Sequence, residues 1–191
     1  MTPIDRNELV SAILSFLPSQ GLLARHDIRL VLESEVDRAG PDALIALRTR
    51  LTADSGWDYY ERDPLARSIH RLLADRFLAP GSELRNAHHL EAIAGMPVVI
   101  VANHLSYADA NAVEILLHSG GGAEVADRLT AGAGPKVYSD RQRRFSSLCF
   151  GTIKVRLSAE VSSEGAVMSP REGARAARRA IEAADARLDA G

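Results

Sequence analysis

The sequence predicts an α/β protein: an N-terminal helical portion followed by a partial, mostly parallel α/β core. Three observations carry that expectation. Apolar residues recur at helical spacing from Met1 to about Ala79. The run Pro97-Val-Val-Ile-Val-Ala102 has the β-branched texture of a strand buried on both faces of a parallel sheet. Strand-like and helix-like segments then alternate towards the end of the chain.

Taken in order, Ile4, Leu9, Ile13, Leu14, Phe16 and Leu17 form a first amphipathic stripe, ended by Pro18. A second runs through Ile28, Leu30, Val31, Leu32 and Val36 and stops at Gly40-Pro41. Pro41-Asp42 opens a third helix, Ala43 to Thr52. Asp63-Pro64 opens a fourth, carrying Leu65, Ile69, Leu72, Leu73 and Phe77. Four helices with short connections make a small bundle or cap over residues 1–80. Residues 81–191 form the α/β portion. Its elements are the strand at 97–102, a helix from Ser106 to His118, strands at Lys136 to Ser139 and Thr152 to Leu157, and a helix from Arg171 to Leu188. Three strands are few for an open parallel sheet, and a crossover helix ordinarily delivers the chain to another strand. The sequence is therefore expected to break off at Gly191 just before its next strand; the alternative is a final helix that simply closes the domain.

Composition excludes several classes. With 46% apolar and 25% charged residues, a chain of 191 can bury a full core, unlike a disordered or collagenous one. One cysteine rules out a disulfide scaffold, and Cys149, between Leu148 and Phe150, reads as a small buried hydrophobe. A net charge of −2 argues against a general nucleic-acid binder. The apolar run at 97–102 is too short to span a bilayer, and the opening MTPIDRNELV does not read as a signal peptide. A soluble, cytoplasmic protein is the resulting expectation.

The segment that carries most chemistry is Asn103-His-Leu-Ser-Tyr-Ala-Asp109. It directly follows the 97–102 run, and open α/β sheets hold ligands beyond the carboxyl ends of their strands. Inside one ideal helix His104 and Asp109 would stand roughly 140° apart. They meet only if His104 lies in the loop and Asp109 turns back from the helix start, with Ser106 as the N-cap. A carboxylate on one ring nitrogen fixes the tautomer and leaves the other nitrogen as a general base. The alternative is a capping arrangement in which Asp109 only complements the helix dipole. Spacing leaves both open. The other histidines (His26, His70, His88, His89 and His118) lack ligand-like neighbours, and Ser106 lacks a Gly-x-Ser-x-Gly setting. Gly120 to Gly122 follow a helix, unlike a phosphate-cradling loop.

Asn103 to Asp109 resembles the N-H-x-x-x-x-D block of the glycerophospholipid acyltransferases, the glycerol-3-phosphate and lysophosphatidate acyltransferases of phospholipid synthesis. The resemblance covers residues 81–191. It implies that His104 takes the proton from a glycerol hydroxyl and that Asp109 orients it, with Asn103 and Ser106 in support. The hydroxyl then attacks an acyl thioester supplied by acyl-coenzyme A or an acyl-carrier protein, with no further cofactor and no metal. The family's second block, a glycine, a strand and a phosphate-binding arginine, is matched by Gly151-Thr-Ile-Lys-Val-Arg156. Here the sequence departs from the pattern, since the family's arginine usually lies six residues after the glycine, where this chain has Leu157. Lys154 and Arg156 share one strand face and remain candidates for the acceptor phosphate. A third block, Phe-Pro-Glu-Gly, is missing. Ser169-Pro-Arg-Glu-Gly echoes it but reads as a helix start.

Arg141, Arg143 and Arg144 flank Phe145 and, with Lys136, form a basic cluster. As a site the cluster attracts the phosphates of coenzyme A, an acidic carrier protein or anionic headgroups, with Lys136 and Arg144 as candidates for substrate phosphates; the segment Arg141 to Phe145, or the N-terminal helices, is a candidate contact for an anionic membrane surface. The alternative is a solvated helix face. Two rival functions stand beside acyl transfer: a non-catalytic lipid or acyl-carrier binding module, and a hydrolase using His104 and Asp109 with water or a metal.

Overall fold

Two helices of the N-terminal portion begin on aspartates that cap them. The computed structural model describes residues 5–17, 22–52, 58–93, 95–138, 140–155 and 169–190. The Asp5 carboxylate accepts from the amide of Glu8 at 2.8 Å and starts α1 (Arg6–Phe16). α2 (Leu22–Thr52) is broken at Gly40, whose φ of 85° suits glycine, and Pro41 restarts the helix beyond it. The break expected at Gly40-Pro41 is therefore a kink between two helical halves. α3 (Pro64–Leu72) has Pro64 in its first turn and the buried Asp63 as cap, accepting from Leu65 N at 2.9 Å and Ala66 N at 3.0 Å. Asp63→Ala strips both amides of their acceptor away from water. Thermal denaturation is expected to register a loss of about 1–2 kcal/mol; an unchanged melting temperature would count against the cap.

The chain continues through α4 (Ala74–Phe77), α5 (His89–Ile93), α6 (Asp109–Ser119), α7 (Ala123–Arg128), α8 (Pro135–Tyr138), α9 (Arg141–Ser147) and α10 (Pro170–Asp189). Ser169 and Glu172 close a capping box at the start of α10, so Ser169-Pro-Arg-Glu-Gly is a helix start as read. Among the described residues no helix is long and apolar enough to cross a membrane.

The fold is mixed helix and sheet. Among the described residues the sheet has β1 (Tyr59–Tyr60), β2 (Thr130–Ala133) and β3 (Gly151–Lys154), in the order β1-β3-β2. β2 runs parallel to β3, pairing Thr130 with Gly151 and Ala133 with Lys154, whereas β1 runs antiparallel to it. The sheet is thus only half parallel, which corrects the mostly parallel expectation. β1 comes from the N-terminal portion and is too short to show any alternation. Gly151 lets the three strands close: a Cβ there would stand 2.6 Å from Thr130 Oγ1 and 3.0 Å from Tyr59 Oη.

Two strand expectations need correction. Residues 97–102 form no ladder, and Val99 and Val101 are 76% and 89% exposed. β-Branched residues favour a strand only where a partner edge and a covering layer accept them, and this run pairs with no described strand. Lys136 lies in α8, because Pro135 sets a helical first turn after Gly134; Ser139 is outside the described residues. The third strand is found as Gly151–Lys154, and its expected end at Arg156 and Leu157 lies, like Ile4, Pro18 and Gly191, outside the described residues. β2, Thr-Ala-Gly-Ala, escapes a reading by propensity, since small residues carry little strand preference.

The larger buried cluster draws on both sides of residue 80. Leu9, Ile13, Leu32, Leu47 and Ile69 from α1 to α3 join Phe145, Leu148, Cys149 and Phe150 in one buried cluster. Each large side chain buried in this way contributes about 1.5–3 kcal/mol. Burial also pushes the Cys149 thiol up from its ordinary value, which keeps it an inert packing group.

Candidate functional site

His104 and Asp109 meet. The His104 Nδ1 lies 3.0 Å from Asp109 Oδ2, and the same oxygen accepts from Leu105 N at 2.6 Å and Ser106 N at 3.0 Å. Asp109 is the first residue of α6, so its side chain reaches back over the preceding turn, as the geometry requires. Ser106 is not the N-cap. Ala108 occupies that position, while Ser106 Oγ accepts from Ala108 N at 3.1 Å and stabilises the turn that carries His104. The correction has a local cause: Asp109 already serves the amides of Leu105 and Ser106, so the helix starts where its side chain can do so.

The amides of Ser106 and Leu105, then the His104 ring, hold the Asp109 carboxyl below its ordinary value. An ionised carboxylate only accepts hydrogen bonds. Nδ1 of His104 therefore carries a proton, so that in the neutral ring Nε2 is the nitrogen that accepts. The His104 side chain is 75% exposed, which gives a reactant direct access to Nε2.

His104, Asp109, Asn103 and Ser106 line a cavity of about 1220 Å³. Ile13, Ile69, Leu73, Phe150 and Ile153 supply apolar wall, and the chain from Thr130 to Val137, leading from β2 into α8, supplies another side. The site thus sits where β2 ends, although the 97–102 run that precedes it is not in the sheet.

The cations expected to bind substrate are not brought together. Lys136 is exposed and lines the cavity. Lys154 is buried in β3 with its ammonium 4.5 Å from the centre of the Tyr138 ring, and it is its neighbour Ile153 that faces the cavity. Alternation along a strand accounts for this split. Arg144 is buried and donates to the carbonyls of Tyr138, at 2.8 Å through Nε, and of Leu51, at 3.2 Å. Its guanidinium fastens α9 to α8 and α2, away from the cavity wall. Arg156 lies outside the described residues.

Two features were missed by the sequence reading. Arg143, one residue before Arg144, lies with its guanidinium 4.6 Å from the centre of the Tyr107 ring and lines the same cavity as His104. Tyr107 belongs to the motif and Arg143 to the basic cluster, but no local spacing links the two. The second is a buried charge cluster. Glu114, fully enclosed on α6, accepts from Arg67 Nη2 at 3.1 Å and Arg71 Nη2 at 2.8 Å, and lies 3.2 Å from His70 Nε2. Asp127 of α7 completes it through Arg67 and Arg71. The signal available was a lone glutamate inside the apolar run Ala112-Val-Glu-Ile-Leu-Leu117.

Comparison with protein-family models, with curated proteins and with solved structures finds no match to this chain. The functional reading therefore stands on the motif and the geometry around it.

Proposed function

We propose that the protein is an O-acyltransferase that moves a fatty acyl group from an acyl thioester to a hydroxyl of a glycerophosphate-type acceptor. The observation that carries the reading is the His104–Asp109 pair, with Nε2 free and accessible, at the wall of a large apolar cavity. In this reading Nε2 takes the proton of the acceptor hydroxyl as its oxygen attacks the thioester carbonyl. The tetrahedral intermediate collapses with cleavage of the carbon–sulfur bond, and the imidazolium returns the proton to the departing thiolate. Asp109 stabilises the imidazolium between the two steps. The cavity exceeds the roughly 300–1000 Å³ of ordinary small-molecule pockets, in keeping with a long aliphatic chain. Val99, Val101 and Leu105 stand exposed beside His104, which supports an acceptor of amphiphilic character.

The test is product analysis with an acyl-coenzyme A donor. It is run without acceptor, with glycerol-3-phosphate, and with lysophosphatidate presented in vesicles. Acceptor-dependent appearance of an ester is expected. Release of free fatty acid at the same rate in all three reactions would replace transfer by hydrolysis. Absence of any thioester turnover would overturn the reading in favour of a binding module.

A further inference from the structure

Arg143 offers the cavity a planar cation, which the buried Lys154 and Arg144 do not. Its guanidinium lies against the Tyr107 ring, and Tyr107 in turn stands edge-on to the His104 ring with centroids 6.3 Å apart. Nη1 donates to the carbonyl of Lys136 at 3.1 Å, which fixes the plane of the group. Among the described residues Arg143 ion-pairs with no carboxylate, in contrast to Arg67 and Arg71, so donors of its fork remain for a ligand. The residue is held from below as well. Asn111 of α6 donates through Nδ2 to the carbonyl of Ser146 at 3.1 Å and accepts from Ser146 Oγ at 2.6 Å, tying α9 to the helix that begins at Asp109. Helix α9 thus carries Arg143 in fixed relation to the His104–Asp109 pair.

We propose that Arg143 is the anion anchor of this site, binding a phosphate group of a reactant while Tyr107 supports its guanidinium. The inference rests on the acyl-transfer reading for the identity of the reactants. A planar, preoriented fork on a cavity wall matches phosphate geometry, and stacking on an aromatic ring leaves the fork's edge free to donate. The phosphate belongs either to the acceptor or to the donor, and equilibrium binding distinguishes them without needing turnover. Calorimetric titrations of the full chain with glycerol-3-phosphate, coenzyme A and glycerol are compared for wild type, Arg143→Ala and Arg143→Lys. Melting curves verify that each variant is folded.

Arg143→Ala is expected to weaken one phosphate-bearing ligand about ten- to a hundredfold while leaving glycerol unaffected. Arg143→Lys is expected to fall between, because it keeps the charge and loses the fork and the stack. Loss confined to glycerol-3-phosphate assigns the acceptor, and loss confined to coenzyme A assigns the donor. Affinities unchanged for both, in a folded Arg143→Ala, would overturn the anchor even if the wild-type protein transfers acyl groups. Conversely, Arg143-dependent phosphate binding in a protein without transferase activity would retain the anchor and remove the acyltransferase reading.

Discussion

His104→Ala is expected to lower acyl transfer by about 10²–10⁴-fold, with the melting temperature essentially unchanged. The separation of the two readouts follows from the exposure of the ring. Its side chain is 75% exposed and belongs to no core cluster, so its removal falls among the surface substitutions that cost no more than about 0.5 kcal/mol. What is lost is the acceptor for the hydroxyl proton. Asp109→Asn is the sharper companion. Asparagine retains size and one carbonyl oxygen, but the amide no longer offers the charge that stabilises an imidazolium, and it can present a donor to Nδ1. The proton then moves to Nε2, the atom that has to accept. Steady-state kinetics on both variants, with folding checked by circular dichroism, decide the matter: a His104→Ala protein of normal turnover number would remove the mechanism.

How far the site was legible follows from the range over which its contacts act. The His104–Asp109 pair was readable because five positions and one helix start define it, and the carboxylate's partners are its immediate neighbours, Leu105 and Ser106. The cap itself was misplaced: Ser106 Oγ bonds the Ala108 amide inside the turn, and the helix begins only at Asp109. The helices of the N-terminal portion were legible from proline, glycine and aspartate at their ends. The sheet was not. Tyr59-Tyr60 and Thr-Ala-Gly-Ala become strands through their pairing with Gly151–Lys154, a tertiary event that leaves no alternation in either segment. The 97–102 run has the texture of a strand, and lacks the partner. Arg143 and Tyr107 come from different elements, and only their helix packing makes them a pair.

Loss of Glu114 is expected to cost the fold heavily. Burial by itself pushes its carboxyl up. The adjacent His70 ring and the Arg71 guanidinium outweigh that and hold it below the ordinary value of 4.5. Glu114→Ala leaves Arg67, almost wholly buried, with a single carboxylate partner at the surface, and opens a space where α3 meets α6. Breaking a buried ion pair from one side costs about 3–5 kcal/mol, a large fraction of a domain's stability. Glu114→Gln keeps the volume and isolates the charge, so it serves where the alanine variant fails to fold. Its signature is the dependence on pH. Because the folded carboxyl titrates below the unfolded one, its stabilisation is complete above the unfolded value and is lost as pH falls through the folded one. Wild-type stability is therefore expected to decline below about pH 4.5 more steeply than that of Glu114→Gln. The variant keeps a residual slope from Asp127, Glu35 and Asp109, whose carboxyls are also held low. Denaturant melts of the two proteins across that range measure the difference directly. Parallel curves would mean that the Glu114 carboxyl titrates alike in the folded and unfolded chain, so that its charge adds no net stability to the cluster joining α3, α6 and α7.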